Sequence, residues 1–299
     1  MSNPLFSSDT PSVFEEMTRL ARSCEAINLG QGFPEAMEPP ELIEAAAAAL
    51  RSGPHQYPPM YGMPELRQAV AESNRRFYGL ETDWESEVLV TVGATEALTA
   101  CFLGLFQTGD EVILLQPAYD HYQRALRRAG AVPVPVRLEP PEWELPHDRL
   151  AAAITKRTRA IVLNSPMNPS GKVFGAEDLA FIAALLERHD LVAICDEAYE
   201  HLVFDGARHR PLMTLPGARE RCLRIGSAGK TFSVTGWKIG YITAPHALLA
   251  PVAQAHQFIT FTVAPALQLA VAHGLRLPDS YFDGPVSYTH LRAHETSAP

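Results

Sequence analysis

The chain has 299 residues, of which 46% are hydrophobic, and it carries a formal net charge of −9 at pH 7. This acidic balance argues against a nucleic-acid-binding protein, because such a protein needs a basic surface. The sequence shows neither a secretory leader at its start nor an apolar run near the roughly 20 residues that span a membrane. We therefore expect a cytoplasmic globular protein.

Apolar runs alternate with amphipathic segments along the middle of the chain. In chain order, strands are predicted at residues 87–92, 111–116, 131–136, 159–164, 191–195, 221–226 and 239–244, and helices at 94–106, 119–130 and 176–190. Most of these strands are apolar throughout, which is typical of a mostly parallel sheet sandwiched by helices. The predicted fold class is therefore α/β. Ligands in such folds bind beyond the carboxyl ends of the strands, so polar residues that follow a strand are the first candidates for a site.

The segment SAGKTFSVTGWKIGY follows the predicted strand 221–226 and is rich in small and hydroxyl residues. It contains Lys230 and Lys238, two of the four lysines in a chain that otherwise uses arginine. We interpret Lys230 as present for its amine rather than for its charge. Ser227 and Lys238 could add a hydroxyl group and a fixed positive charge to the same site.

Polar residues also follow other predicted strands. Asp196 comes directly after the strand 191–195, where it could cap the next helix or place a carboxylate at the sheet edge, with Tyr199 close behind. Asn168 lies in NSPMNPSG, either in an ordinary turn or with its amide directed into a site. Gly93 ends a strand before a helix that begins near Thr95, and such helix starts can bind a phosphate, although many helices begin this way.

These candidates together would supply an amine, a carboxylate, an amide and an anion site. Pyridoxal 5′-phosphate needs this combination of groups. Its aldehyde forms an imine with a lysine, and its ring nitrogen needs an acidic partner to stay protonated. Its phosphate needs a helix dipole and cations.

The motifs resemble those of the class I/II aminotransferases, which belong to the fold-type I pyridoxal-phosphate-dependent enzymes. They are most similar to the branch that contains methionine, glutamine and kynurenine transaminases. The resemblance runs from INLGQGFP to DSYFDG, and SAGKTFSVTGWKIG matches the family's lysine segment at each diagnostic position. It implies a homodimer that transfers an amino group between an L-amino acid and a 2-oxo acid, with methionine, glutamine or aromatic-type donors. It implies no nucleic-acid partner, no membrane and no metal.

The resemblance also implies a role for each motif residue. Lys230 resembles the Schiff-base lysine that also moves the substrate's α-proton, and Asp196 resembles the partner of the ring nitrogen. Asn168 and Tyr199 resemble the hydrogen-bond partners of the phenolic oxygen, and Tyr199 is counted with the catalytic residues. The remaining implied contacts are Gly93, Ala94, Thr95, Ser227 and Lys238 at the phosphate, Tyr119 on the cofactor ring, Tyr57 at the phosphate of the neighbouring subunit and Gly32 as the backbone that closes over the substrate.

One part of the family pattern is not matched. The family binds the substrate carboxylate through an arginine in a C-terminal small domain, and neither Arg276 nor Arg292 stands in a matching motif. We therefore expect a C-terminally truncated chain with the small domain largely missing, and whether this chain is active is left open. The expected division is an N-terminal arm with part of the small domain (1–40), a cofactor-binding large domain (41–284) and a non-native or disordered tail (285–299).

Three alternatives to transamination stay open. The same cofactor chemistry could remove a leaving group from the β-carbon of a cysteine conjugate, as a β-lyase does. The chain could instead be a non-catalytic cofactor-binding domain. A transcriptional regulator with an aminotransferase-like domain would need a basic helix-turn-helix domain before INLGQGFP, and the sequence shows none there.

Overall fold

The computed structural model describes residues 13–28 and 38–283, and the chain divides into two compact units, Met1–Met37 and Glu38–Pro299. The described part of the first unit contains helix α1 (Val13–Ser23), after which Asn28 Nδ2 donates a hydrogen bond to Thr18 Oγ1 at 3.0 Å. The predicted domain boundary at residue 40 stays a prediction. The predicted tail, 285–299, lies outside the described residues.

The second unit is built on a mixed sheet. Within residues 38–283 the structure contains seven strands, β1 (Val88–Val92), β2 (Glu111–Gln116), β3 (Val132–Arg137), β4 (Thr158–Asn164), β5 (Val192–Asp196), β6 (Cys222–Ser227) and β7 (Ile239–Thr243). Their order is β1-β7-β6-β5-β4-β2-β3, and the neighbouring strands are parallel except where β7 pairs with β1 and β6. The predicted α/β fold with a mostly parallel sheet is confirmed.

Helices cover both faces of this sheet, which explains why the strands are apolar throughout. The described helices of the unit are α2 (Pro40–Ser52), α3 (Pro64–Tyr78), α4 (Trp84–Glu87), α5 (Gly93–Leu105), α6 (Asp120–Arg128), α7 (His147–Ala152), α8 (Ala176–His189), α9 (Ala228–Thr231), α10 (His246–Ile259), α11 (Pro265–Gly274) and α12 (Asp279–Asp283). In β2, Ile113 and Leu115 belong to the core that includes α7 and α8, whereas Val112 and Leu114 belong to the core that includes α5, α6 and α10. Successive side chains of a strand point to opposite faces, so each face requires an apolar residue. In the described ranges, no helix combines the length and hydropathy that crossing a bilayer would take.

The prolines that weaken the pattern of β3 have a place that tolerates them. Pro133 and Pro135 lie in β3, the last strand on its side of the sheet, and β3 pairs with β2 along its full length. An edge strand has one row of backbone N–H groups that no neighbour needs, so a missing N–H costs little there. The two prolines are therefore compatible with a strand at the edge of the sheet.

The strand register brings the candidate residues to one edge of the sheet. Asp196 at the end of β5 pairs with Asn164 at the end of β4, and Ser227 at the end of β6 pairs with Gly240 at the start of β7. Because β7 is antiparallel, it begins at the edge where the parallel strands end. Lys238, directly before β7, is therefore brought to the same edge as Ser227.

Candidate active site

Lys230 lies in α9, the short helix that follows β6. Its amine is positioned over the ring of Tyr199, 5.4 Å from the ring centroid. Burial lowers the pKa of Lys230 below its ordinary value, and the charge of Lys238 adds to this effect, while Asp196 opposes it. A lowered pKa increases the fraction of free amine at neutral pH, which nucleophilic and general-base roles require.

Asp196 is the last residue of β5 and is 5% exposed. Its Oδ2 accepts a hydrogen bond from the Tyr122 hydroxyl at 2.6 Å, and its Oδ1 accepts one from the Ala198 N–H at 3.2 Å. Burial raises the pKa of the Asp196 carboxyl, and these two hydrogen bonds oppose the rise. A carboxylate buried in this way interacts strongly with a cation beside it, because the surrounding protein screens charge less than water does.

Tyr199 and Asn168 lie together beside Asp196. Asn168 Nδ2 donates to the Tyr199 hydroxyl at 3.4 Å. The loop that carries Asn168 is held by Asn164, whose Oδ1 accepts from the Asn168 N–H at 2.7 Å and whose Nδ2 donates to the Asp196 carbonyl at 2.9 Å. Burial raises the pKa of Tyr199 to about 12, with Asp196 and Tyr119 adding to the shift. The phenol therefore keeps its proton at neutral pH and can donate a hydrogen bond.

The start of α5 forms a candidate anion site. The helix begins at Gly93, whose φ is +73°. Because they lie in the first turn of the helix, the N–H groups of Ala94 and Thr95 have no partner within it. A Cβ at Gly93 would lie 3.6 Å from Lys238 Nζ, and a Cβ at Gly240 would lie 2.6 Å from the Gly93 carbonyl carbon. These close approaches place an ammonium group beside the positive end of the helix, which favours an anion.

Tyr119 extends the site from the anion position toward Asp196. Thr95 hydrogen-bonds the Tyr119 side chain, and burial is the main reason that the pKa of Tyr119 is raised. The Tyr119 ring meets the ring of Tyr122 edge-on, with 5.7 Å between the centroids. Tyr122 in turn bonds Asp196, so one side of the site is lined by aromatic rings.

Tyr57 and Arg276 do not join this arrangement, and two further residues named from the sequence are not described by the structure. Tyr57 is 82% exposed and its ring lies edge-on to Phe261 at 5.6 Å, and its predicted role concerns a second subunit. Gly32 and Arg292 lie outside the described residues. Arg276 forms hydrogen bonds with Glu72, the shorter at 2.7 Å.

Two features of the site were not predicted. The first is Tyr122, whose only sequence signal is its position three residues after Tyr119 in the predicted helix. The second is Arg224 in β6, which contacts Glu197 and Glu200 from the turn after β5. The local sequence around Tyr122 or Arg224 does not indicate their hydrogen-bond partners, because these partners, such as Asp196 and Asn74, lie far away in sequence.

The residues that do come together fit pyridoxal 5′-phosphate. Lys230 offers a half-buried amine of lowered pKa, and Asp196 a buried carboxylate in the same site. Asn168 and Tyr199 offer adjacent hydrogen-bond donors, and the glycine at the start of α5 leaves a cradle beside the Lys238 ammonium group. This donor set matches an aldehyde, a ring nitrogen, a phenolic oxygen and a phosphate carried on one small aromatic molecule.

Comparison with known proteins gives matches to aminotransferases, both in sequence and in structure. Residues 25–290 match the family described as "Aminotransferase class I and II". The chain is 47% identical over 272 residues to a probable N-succinyldiaminopimelate aminotransferase of Mycobacterium tuberculosis, covering 90% of this chain and 68% of the relative. It is 39% identical over 282 residues to a methionine aminotransferase of Escherichia coli, covering 94% of this chain and 73% of the relative. The solved structure of the M. tuberculosis N-succinyldiaminopimelate aminotransferase superimposes with a TM-score of 0.94 at 43% identity, covering 99% of this chain and 77% of that one.

Proposed function

The chain belongs to the class I and II aminotransferases, which are pyridoxal-phosphate-dependent enzymes, and from this premise we propose which residues act and on what. We propose that it transfers the amino group of an L-amino acid of the methionine, glutamine or aromatic type to a 2-oxo acid. The observation that carries this proposal is the meeting of the Lys230 amine, the Asp196 carboxylate and the Tyr199 phenol at one edge of the sheet.

The proposed cofactor contacts follow the arrangement of these side chains. Lys230 would hold the cofactor through its amine, and Asp196 would hold the ring nitrogen. Asn168 and Tyr199 would donate to the phenolic oxygen, and Tyr119 would lie against the ring. The proposed phosphate contacts are Gly93, Ala94, Thr95, Ser227 and Lys238. When bound, the cofactor supplies a ring that withdraws electrons from the α-carbon of the amino acid.

The protein's own contribution is proton transfer and orientation. Lys230 Nζ would take the α-proton of the amino acid as a general base and later return it as a general acid, which its lowered pKa supports. Asp196 would keep the ring nitrogen protonated, and Tyr122 and Ala198 keep the Asp196 carboxylate in place through their hydrogen bonds. The Tyr199 phenol, with its pKa of about 12, would donate a proton to a hydrogen bond without losing it.

A second donor is favoured by one specific observation. The relative that is 47% identical is named for N-succinyldiaminopimelate, whereas the methionine aminotransferase is 39% identical. N-succinyldiaminopimelate is thus the second candidate amino donor. It carries additional carboxylates, so it would need additional positive groups near the site, while methionine and aromatic donors would need apolar walls.

We also propose that the active form is a homodimer. Tyr57 is 82% exposed, Phe258 is 85% exposed, and Phe261 packs edge-on against Tyr57. Large aromatic side chains that remain exposed together are typical of a surface that binds another protein. In this proposal, Tyr57 reaches the phosphate of the cofactor in the second subunit.

The first test is an absorption titration of the purified chain with pyridoxal 5′-phosphate. We expect a visible band from the lysine-bound cofactor, and we expect Lys230→Ala to remove the band and to abolish transamination. Lys156→Ala is the matched control, because Lys156 is an exposed lysine outside the site and its loss should change neither the band nor the rate. A Lys230→Ala variant that still turned over amino acids at an appreciable rate would contradict the assignment of Lys230.

An activity panel on the same preparation separates the remaining functions. Methionine, glutamine, phenylalanine and N-succinyldiaminopimelate are each offered with a 2-oxo acid, and product formation identifies the donor class. Release of pyruvate and ammonia from a cysteine conjugate, without transfer to the 2-oxo acid, would favour the β-lyase alternative. A chain that binds the cofactor through Lys230 but acts on none of these substrates would favour a non-catalytic cofactor-binding domain.

A further inference from the structure

The turn that follows β5 has two sets of side chains with different partners. Asp196 and Tyr199 lie in the candidate active site, as described above. Glu197 and Glu200 alternate with them and bond instead to Arg224 in β6. The same short turn therefore carries cofactor residues and a buried group of charges.

Arg224 is almost fully enclosed, with 1% of its surface exposed. Its Nε donates to Glu197 Oε2 at 2.6 Å, its Nη2 donates to Glu200 Oε2, and its Nη1 donates to Asn74 Oδ1 at 2.8 Å. Its guanidinium lies over the ring of Tyr78, 4.9 Å from the centroid. We call these five residues the Arg224 cluster.

Other side chains complete the surroundings of the two carboxylates. The described contacts are the Tyr78 hydroxyl at 2.6 Å from Glu200 Oε2, the Tyr241 hydroxyl at 3.5 Å from Glu200 Oε1, His201 Nε2 at 4.0 Å from Glu200 Oε2 and His209 Nε2 at 2.9 Å from Glu197 Oε2. The pKa of His201 is lowered, chiefly by burial, so His201 contributes little positive charge at neutral pH. Arg224 is thus the permanent cation that faces both carboxylates.

Stability alone is a poor reason to bury such a cluster. Removing charges from water is costly, and apolar side chains of similar volume often stabilise a protein as well as a buried ion pair does. The cluster is also joined to the segment that carries Asp196, because the Glu197 N–H donates to the carbonyl of Ile225, the residue after Arg224, at 2.9 Å. The turn and β6 are therefore joined by both backbone and side-chain bonds.

Charge gives the cluster a direct influence on Asp196. Glu197 is the next residue after Asp196, and its negative charge works to raise the pKa of the Asp196 carboxyl, in addition to the larger effect of burial. Arg224 neutralises Glu197 at a distance of 2.6 Å. Without that guanidinium, Glu197 would keep its contact with His209 but lose its arginine partner, and Asp196 would lie beside a less compensated buried carboxylate.

We infer that Arg224 is a positioning residue for the transamination: it fixes the turn that carries Asp196 and Tyr199, and it neutralises Glu197 so that Asp196 stays ionised beside the cofactor. This inference rests on the proposed function for its catalytic consequence. Its electrostatic part concerns the cofactor-free chain and can be tested there.

The test compares Arg224→Met with the double variant Arg224→Met/Glu197→Gln. In the cofactor-free chain, the ¹³C signal of the Asp196 side-chain carboxyl, assigned with Asp196→Asn, reports its ionisation at neutral pH. We expect Arg224→Met to move the signal toward the protonated acid and the double variant to move it back. In the loaded enzyme, we expect Arg224→Met to lower kcat about tenfold with a smaller change in KM, and the second substitution to recover most of that loss, as coupled neighbours do.

Arg219→Met is the matched control. Arg219 pairs with Glu87 at 2.8 Å and lies before β6, at the other end of the strand. Its loss removes a partly exposed arginine–carboxylate pair that lies away from Asp196, and we expect it to change thermal stability without moving the Asp196 signal. If Arg224→Met does not fold, Glu197→Gln alone serves as the second variant, and the Asp196 signal should then titrate at a lower pH than in the wild type.

The outcomes separate this inference from the proposed function. An Asp196 signal that ignores Arg224→Met, or that Arg219→Met moves equally, would overturn the inference whatever the enzyme does. A kcat that the double variant does not recover, despite a recovered signal, would overturn the catalytic consequence. If Lys230→Ala retained turnover while the Asp196 signal responded as expected, the proposed function would fail and the coupling would stand.

Discussion

Asp196 and Glu200 lie four residues apart in one turn, and each is 5% exposed, yet their pKa values move in opposite directions. Burial raises the pKa of Asp196, and its shortest described side-chain contact is a neutral one, the Tyr122 hydroxyl. Burial is also the largest single effect on Glu200 and acts to raise its pKa, but Arg224, the neighbouring histidines and the Tyr78 hydrogen bond together outweigh it, so the net shift is downward. Equal burial thus goes with opposite pKa shifts, and the set of charged and hydrogen-bonding partners around each carboxyl decides the direction.

The difference matches two different purposes. Glu200 has its cation built into the fold, so its charge is satisfied when the chain folds. Asp196 is a buried acid that accepts hydrogen bonds. Within the chain, Lys230 lowers the pKa of Asp196 only slightly compared with the rise that burial causes. A protonated ring nitrogen of the bound cofactor would provide a positive charge beside Asp196. The buried carboxylate would therefore interact more favourably with the cofactor than with water in its place.

The largest effect should come from converting Asp196 to its amide. We expect Asp196→Asn to lower transamination by about 10²-fold or more, the size found when one preorganised electrostatic group is removed from an active site. We also expect it to stabilise the cofactor-free chain at pH 7. The folded-state pKa of Asp196 is raised, so ionisation costs stability above that pKa, and the amide avoids the cost.

The pH dependence of this stabilisation tests the sign of the shift. As pH falls through the raised folded pKa toward the unfolded value of about 3.9, the wild-type carboxyl becomes protonated in both states and the advantage of the amide should vanish. The measurement is thermal unfolding of the two cofactor-free chains between pH 7 and pH 4. An advantage that grows as pH falls would show that the pKa of Asp196 is lowered rather than raised.

Replacing Glu200 by its amide should lower the free energy of unfolding, whereas Asp196→Asn should raise it. Glu200→Gln removes a buried charge bonded to Arg224, and we expect a loss of about 1.5–3 kcal/mol in the free energy of unfolding at pH 7, the range for hydrogen bonds to charged groups. The folded-state pKa of Glu200 is lowered, so its contribution is present above the unfolded value of about 4.3 and is lost as pH falls through the folded pKa.

Urea unfolding of wild type and Glu200→Gln at pH 7 and at successively lower pH values measures this contribution. The difference in the free energy of unfolding should narrow below about pH 4.3, where the carboxyl of the unfolded chain is already protonated. A constant difference at all pH values would mean that packing, rather than charge, makes Glu200 stabilising. Asp196→Asn and Glu200→Gln are matched amidations, so their opposite signs isolate the role of the partner.

How much of this was accessible from sequence depends on the range of each interaction. The strand pattern predicted the sheet, and the segment from Ser227 to Lys238 predicted a lysine site, because these signals are local. The direction of β7 was not predicted, since a strand that is apolar on both faces has the same pattern in either direction. The Arg224 cluster joins Asn74 to a strand 150 residues away, and no local pattern indicates that pairing. Arg224 stands between the apolar residues Leu223 and Ile225, and a charged residue in that position is the signal that could have raised the question.

The smallest effect should come from Tyr122, whose hydroxyl bonds Asp196 at 2.6 Å, with Tyr78 as its counterpart on Glu200 at 2.6 Å. Tyr122→Phe removes a donor that favours the ionised carboxylate, so the pKa of Asp196 should rise further and kcat should fall by a few-fold up to about tenfold, equivalent to at most about 1.4 kcal/mol. Tyr78→Phe removes a bond of the same length from a carboxylate that still has Arg224, and it should change stability by about 1 kcal/mol and lower kcat less than Tyr122→Phe does. Steady-state kinetics and thermal unfolding of the two variants provide the comparison. Equal losses of kcat in the two variants would mean that Asp196 and Glu200 contribute to the reaction in the same way. A clearly larger loss in Tyr122→Phe would show that the reaction depends on the ionisation of Asp196 and not on the buried charges of the turn in general.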